Sequence, residues 1–203
     1  QIIYDDPKIE AFIKENYSKR IYDAYMKINP AYGPAKADLF RMLMIYLNGG
    51  IYLDMKSYPK KHLNQVLDQT KLNVSRWTDI PIGGIRSVHL SEIVDSKFGE
   101  YQNWHVCSPK GNPILKKVIQ QIISNIETGD VNNKYFCKGN MSVIVFTGPV
   151  TYSLVLNKYS DNKYVKKHWA NLGGAVNYDM LDHIKMEGNT HYTSLKDKKI
   201  LLY

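Results

Sequence analysis

An α/β fold follows from three features of this 203-residue chain. Apolar residues recur with helical spacing in several stretches. Short β-branched and aromatic runs stand between them, and Gly or Pro marks the joints. Strands alternating with helices predict a sheet flanked by helices. The length suits one domain over residues 1–203, with enough chain for a real core.

In chain order, Ile2-Ile3-Tyr4 reads as a strand running into a helix, with Asp6 as N-cap and Pro7 at the first helical position. Ile9, Phe12, Ile13 and Tyr17 give that helix its apolar face, and Tyr22, Tyr25 and Met26 continue it to Asn29-Pro30. Tyr32-Gly33-Pro34 is a turn. The stretch from Ala37 to Lys56 then organises the rest. Leu39, Met42, Leu43, Tyr46 and Leu47 form one face of a helix, while Asp38, Arg41 and Ile45 fall on another. Asn48-Gly49-Gly50 ends it, because glycine tolerates a left-handed cap. Ile51-Tyr52-Leu53 is a short buried strand, and Asp54 stands where it stops. Ligands of open α/β sheets meet the carboxyl ends of strands, so Asp54 is placed to face one.

Pro59 breaks any strand that follows, Leu63, Val66 and Leu67 suggest a short helix, and Leu72-Asn73-Val74 a strand. Residues 77–103, with Pro81 and Gly83-Gly84, read as a long loop with short elements. Trp104 to Cys107 is a strand, and Asn112-Pro113 opens a helix whose face is Leu115, Val118, Ile119, Ile122 and Ile126, ended by Gly129-Asp130. Met141 to Phe146 reads as a strongly apolar strand stopped by Thr147-Gly148-Pro149, Thr151 to Leu156 as a helix, and Ile200-Leu201-Leu202 as a last strand. Lys163, Lys166 and Lys167 begin a basic surface.

The charge balance is 27 − 19 = +8, which suits an anionic partner: nucleic acid, nucleotide, phospholipid or phosphorylated sugar. Sixteen tyrosines suit stacking on sugars or bases, and equally a wet core edge. Cys107 and Cys137 form no metal motif and no disulfide framework, and are read as buried thiols, with a single bridge the weaker option. The histidines show no zinc spacing: His183 and His191 flank Glu187, but Gly188-Asn189 interrupts any helix aligning them. His105, beside a tryptophan, reads as a packed histidine rather than a base. The lysine pairs Lys60-Lys61, Lys166-Lys167 and Lys198-Lys199 read as solvated faces, and a nucleic-acid patch is the less favoured reading. No apolar run spans a membrane and no signal-peptide pattern is present. A cytoplasmic location is the default, and a Golgi-type lumen follows if an anchor precedes Gln1.

The stretch Ala37, Asp38, Arg41, Ile45, Gly49, Gly50, Tyr52, Asp54 resembles the signature of glycosyltransferase family 32, the DXD-containing sugar transferases that include fungal α-mannosyltransferases. Its Asp-x-x-Arg to Tyr-x-Asp spacing also resembles the large clostridial glucosylating toxins. Asn103-Trp104-His105, Gly111-Asn112-Pro113 and Thr147-Gly148-Pro149 follow in family order, so the resemblance covers most of residues 1–155. It implies a GT-A type fold, a Rossmann-like mixed sheet flanked by helices. The strand that usually opens the family, ahead of Ile2-Ile3-Tyr4, is not found in this sequence.

The resemblance implies transfer of a hexose from a UDP- or GDP-sugar to a glycan, lipid or protein hydroxyl, with retention at the anomeric carbon. Asp38 is then expected on the sugar hydroxyls, Arg41 on sugar or diphosphate, Tyr52 on ribose or sugar, and Asp54 on ribose or metal. Gly49 and Gly50 shape the donor-binding turn. Family members hold Mn²⁺ or Mg²⁺ through the last Asp of D-x-D, but here the motif reads Asp54-Met55-Lys56. A lysine ~4 Å from a phosphate oxygen is worth about 4 kcal/mol at an effective dielectric of 20, roughly half of what a divalent ion gives. Metal dependence is therefore in question, and a sugar- or nucleotide-binding relative without turnover is the alternative. The bland reading of Asp38 and Arg41 is a surface i,i+3 ion pair worth a few tenths of a kcal/mol.

Overall fold

The computed structural model describes residues 2–77, 100–129, 139–178 and 198–202. Helix α1 spans Asp6–Asn16, and its cap is Asp5, whose carboxylate accepts from the Lys8 amide. Asp6 lies inside the first turn instead. Residues 2–4 form no strand: Ile2 and Ile3 are strongly exposed, and Tyr4 packs edge-on against Phe12 and Phe40. The apolar face expected to run unbroken to Asn29 is divided at Tyr17, which is extended, so α2 (Lys19–Lys27) is a separate helix.

Helix α3 spans Gly33–Asn48 and takes up the predicted turn at Gly33-Pro34, proline being tolerated where the backbone N–H has no helical partner. It is buried on most of its surface, and Asp38, Arg41 and Ile45 are as buried as Leu39, Met42 and Leu43. Gly49 ends it at φ 71, and a Cβ there would stand 2.8 Å from the Lys110 amide nitrogen. Only glycine meets both conditions. Strand β1 (Gly50–Leu53) follows directly, β2 is Ser57–Pro59, and β3 is Leu72–Ser75. Pro59 does not prevent β2, because it is the strand's last residue, where a missing donor is tolerated. The helix expected at Leu63–Leu67 is a single 3₁₀ turn, Leu63–Gln65.

Strand β4 (His105–Ser108) leads through Asn112, which caps α4 (Pro113–Thr128) by accepting from the Ile114 and Leu115 amides. Gly129 closes α4 in the left-handed conformation. The apolar run at 141–146 is a helix, α5 (Gly139–Phe146), and not a strand. A short apolar run carries no periodicity to separate the two. What decides is the neighbouring helix α6 (Pro149–Tyr159), reached through Gly148, where a Cβ would come 2.9 Å from the Val143 carbonyl. Strands β5 (Val165–His168) and β6 (Val176–Tyr178) end the main body. Near the carboxyl end there is one bridge, Ile28 to Leu201, in place of a strand. Pro81, Gly83-Gly84, Asp130, Cys137, His183, Glu187 and His191 lie outside the described residues. Cys107 is a buried free thiol, which burial pushes up to about 12.

The main sheet has the order β1-β4-β3-β5, with β4 antiparallel to both neighbours and β3 parallel to β5. Strands β1, β3 and β5 therefore point the same way. Their carboxyl ends, with the entry to β4, form one rim. β2 and β6 pair separately. One sheet face carries the main core, including Tyr52, Val74 and Val106 beneath the helices. Leu53 joins a smaller cluster with Trp104, Leu172 and Val176, as strand alternation requires. Between β5 and β6, Asn171, Leu172, Gly173 and Gly174 all have positive φ. Each non-glycine held there costs about 1–2 kcal/mol. Gln102 restrains the turn: its Oε1 accepts from the Asn171 amide and its Nε2 donates to Asn171 Oδ1, both at 2.8 Å.

Candidate active site

Asp38, Arg41, Tyr52 and Asp54 meet at the rim end of β1. The i,i+3 spacing on α3 puts Arg41 Nη2 3.1 Å from Asp38 Oδ1. Arg41 Nη1 reaches Asp54 Oδ1 at 3.3 Å and donates to the Asn103 carbonyl at 2.6 Å. Its Nε donates to the Ala37 carbonyl, and the guanidinium stacks 4.9 Å from the Tyr52 ring centre. The Tyr52 hydroxyl donates to Asp54 Oδ1 at 2.9 Å. The Asp54 amide donates to the Trp104 carbonyl, which ties the end of β1 to the entry of β4.

Burial separates the roles. The side chains of Asp38 and Arg41 are each 6% exposed, that of Asp54 26%. A surface ion pair at 38/41 is thus replaced by a buried one. Breaking a buried pair leaves an uncompensated charge worth several kcal/mol. Asp38 is held by Thr147, whose hydroxyl donates to Oδ2 at 3.0 Å, and by Asn103, whose amide donates to Oδ1 at 3.2 Å. Burial pushes the Asp38 carboxyl up to about 6, against the pull of Arg41 and Thr147, with Asp54 adding to the rise. For Arg41 burial acts against the charge, but Asp54 and then Asp38 outweigh it and hold the guanidinium above its ordinary value. The Tyr52 phenol is raised, by burial first, with Arg41 opposing and Asp54 assisting. Arg41 thus makes five contacts inside the protein and serves to fix the two carboxylates. Asp54 is the member that faces solvent.

Lys56 sits two residues beyond Asp54, half-buried, and makes no ion pair among the described residues. Gly49 and Gly50 are not brought to the cluster. They lie at the opposite end of β1, about 13 Å (Gly50) and 16 Å (Gly49) from Asp54 at a rise of ~3.3 Å per residue. Gly49 allows the close approach of the α3–β1 turn to Lys110, and Gly50 carries a positive φ of 101 at the start of β1. Asn103 and Thr147 stand 65 and 109 residues from Asp38, and nothing local in the sequence announces their bonds to it. Only their place in the family-like tripeptides marked them. His105 is fully buried with Nε2 2.9 Å from Ser75 Oγ, and burial lowers it to about 3, so it is a neutral packed residue.

The donor set does not fit a protein-built metal centre. Asp54 Oδ1 is already shared by Tyr52 and Arg41, Lys56 places another cation close by in sequence, and no three metal-type ligands cluster among the described residues.

Residues 5–73 match the family described as a glycosyltransferase sugar-binding region containing a DXD motif. Two curated relatives from Schizosaccharomyces pombe match most of the chain. The initiation-specific α-1,6-mannosyltransferase is 25% identical over 80% of this chain and 41% of its own length. Inositol phosphoceramide mannosyltransferase 1 is 27% identical over 78% and 40%. The chain thus spans about two fifths of these relatives. Among solved structures, the PaToxG glycosyltransferase superposes with a TM-score of 0.50 at 18% identity, covering 75% of this chain and 43% of that one. The UDP-bound glycosyltransferase domain of the YGT toxin superposes with a TM-score of 0.51 at 11% identity, covering 83% and 51%. The stretch that builds the site is therefore matched by the DXD-containing glycosyltransferase sugar-binding family, and the chain has the mixed α/β fold of GT-A glycosyltransferase domains.

Proposed function

We propose that this protein is a hexosyltransferase that binds a nucleoside-diphosphate sugar at the Asp54 end of β1. The observation that carries this is the convergence of Asp38, Arg41, Tyr52 and Asp54 at a strand's carboxyl end, inside the family-matched stretch. The mannosyltransferase relatives support mannose as the hexose, and the UDP-bound neighbour supports a nucleoside diphosphate as its carrier. The acceptor is a hydroxyl of a glycan, lipid or protein.

In the reaction the bond from the anomeric carbon to the diphosphate oxygen breaks, and a bond to the acceptor oxygen forms on the same face of the ring. The acceptor proton leaves with the diphosphate or to solvent. Negative charge grows on the leaving group, and preorganised positive charge stabilises it. Lys56 supplies that charge from the position of the motif's second aspartate. Asp54 receives ribose or sugar hydroxyls. Asp38, locked by Arg41, Asn103 and Thr147, orients the sugar from beneath.

The substitution at Lys56 also supports a second reading, a domain that binds the donor without turnover. Calorimetry with GDP-mannose and UDP-sugars, each with Mn²⁺ and with EDTA, tests the proposal. The expected result is one donor bound equally in both conditions, and slow transfer or hydrolysis in product assays. Binding that appears only with Mn²⁺ removes the role given to Lys56. Binding with no product under any condition leaves the non-catalytic reading. Failure of every donor to bind overturns the site. Lys56→Asp is expected to gain metal-dependent binding if the chain is a drifted enzyme.

A further inference from the structure

Beside the Asp54 cluster, a concavity lies on the same rim. It has a volume of about 280 Å³ and is lined by Val74, Arg76, Tyr101, Lys167, His168 and Trp169. Arg76 follows β3, and Trp169 follows β5, so both stand at carboxyl ends, as Asp54 does. In the order β1-β4-β3-β5, with strands ~4.8 Å apart, the ends of β3 and β5 are about 10 and 14 Å from that of β1. Val74 and Tyr101 belong to the same core face as Tyr52, so the two sites open on one side of the sheet.

One short segment joins them. Asn103 holds Asp38 and Arg41, Gln102 clamps the left-handed turn after Trp169, and Tyr101 forms a wall of the concavity. The clamp has a consequence for Trp169. Trp169 is 74% exposed, a large apolar residue left facing water. Strained backbone held in place by specific bonds is found where function requires a fixed geometry. Here it fixes the turn that begins two residues after Trp169, and the Gly173 amide of that turn donates to the Trp169 carbonyl at 2.9 Å. The Arg76 guanidinium lies 4.4 Å over the Tyr101 ring and donates to its hydroxyl. Lys167 pairs with Asp161 at 2.7 Å, but its side chain is 49% exposed and that of Asp161 88%. Such a pair is weak and readily exchanged.

An exposed indole face beside two cations suits a sugar ring that carries a negative charge. We infer that this concavity is the acceptor subsite, and that the acceptor is a hexose-like ring bearing a phosphate. Trp169 stacks on the ring, Lys167 and Arg76 meet the phosphate, and the ring's free hydroxyl is directed along the rim toward Asp54. This rests on the transferase reading, but it is tested separately from it.

The experiment is calorimetry of the whole chain with mannose 6-phosphate and with mannose, in the absence of any donor, for the wild type and for Trp169→Ala, Trp169→Phe and Lys167→Ala. Vesicles of phosphatidylinositol against phosphatidylcholine distinguish a lipid-borne ring from a soluble one. Mannose 6-phosphate is expected to bind at least tenfold more tightly than mannose. Trp169→Ala is expected to weaken it about three- to tenfold, with Trp169→Phe restoring most of the loss. Lys167→Ala weakens it about threefold and lowers its salt dependence. Because both side chains are exposed, the variants keep the wild-type melting temperature, and Trp169→Ala keeps the wild-type affinity for the donor. Preference for phosphatidylinositol vesicles assigns the ring to a lipid, and binding of the soluble probe alone assigns it to a glycan. Equal binding of mannose and mannose 6-phosphate, or unchanged affinity in Trp169→Ala, overturns the inference. Loss of donor binding in the wild type refutes the transferase reading alone.

Discussion

Arg41 and Lys167 are both cations at one rim of one sheet, and each pairs with an aspartate. Arg41 is 6% exposed and bridges two carboxylates, a carbonyl and an aromatic ring. Lys167 is 49% exposed and pairs with one aspartate among the described residues, itself 88% exposed. The same chemistry therefore does opposite work. In low dielectric a charge with every partner in place can only position its neighbours, since moving it leaves others uncompensated. In water a charge with one weak partner is free to exchange it for a ligand. Of the charged residues in the first group, Asp54 is the one open to solvent, with its side chain 26% exposed, and in the second Lys167 is itself open.

The contrast is broken most severely by Arg41→Ala. It strands Asp38 and Asp54 without their cation and is expected to remove about 3–5 kcal/mol in urea denaturation. Arg41→Lys is expected to recover only part, because an ammonium cannot bridge both carboxylates in one plane. A stability loss under 1 kcal/mol in Arg41→Ala sinks the claim that the cluster is a positioning device.

The pH dependence comes next in size. His105 is depressed to about 3, so between that value and the ordinary histidine range the unfolded chain binds the extra proton, and stability rises with pH. Asp38 is raised to about 6, so between the ordinary carboxylate range and 6 the folded chain holds the extra proton, and stability falls with pH. The histidine shift is the larger, and the net expectation is a melting temperature that rises from pH 3 to about 6.5, more gently between 4 and 6. His105→Gln is expected to reverse the slope in that middle window. Donor affinity, which needs the Asp38 carboxylate ionised, is expected to fall below pH 6.

Gly49→Ala is a smaller perturbation and sharpens the distinction between the two ends of β1. It places a methyl 2.8 Å from the Lys110 nitrogen at φ 71 and is expected to cost about 1–2 kcal/mol or more. Donor affinity measured by calorimetry stays within twofold of wild type, because the turn lies far from Asp54. A tenfold loss of affinity with normal stability returns the glycine to the donor site. Lys167→Ala is the least disruptive of these variants: a stability change within about 0.5 kcal/mol is expected in the same urea titration.

Much of this was legible in the chain. Asn112-Pro113 and Gly129 bound α4 because a capping side chain, an imino residue and a left-handed glycine act within a few residues. The passage from α3 through Gly49 into β1 and Asp54 is equally local, and so was the pairing of Asp38 with Arg41. The misreadings have physical causes. Ile2-Ile3-Tyr4 has strand-forming residues but pairs with no neighbouring strand among the described residues, and strands exist only as pairs. Residues 142–146 form a helix because the surface they bury against is helical, and their uniform apolarity could have served either state.

What belongs to the sequence alone is therefore the set of local decisions: caps, turns, the helix of α3 and the order Asp-x-x-Arg, Tyr-x-Asp. Tertiary structure decided which of those charges are buried. Asp38 was fixed in place by Thr147, 109 residues away, and Asn103, 65 residues away, and burial raised its carboxyl against the pull of those bonds. Trp169 reached the same rim as Asp54 only because β5 joins the sheet parallel to β3. Periodicity and capping act over one or two turns of chain. Dielectric environment and strand order are set by parts of the chain that are remote until it folds.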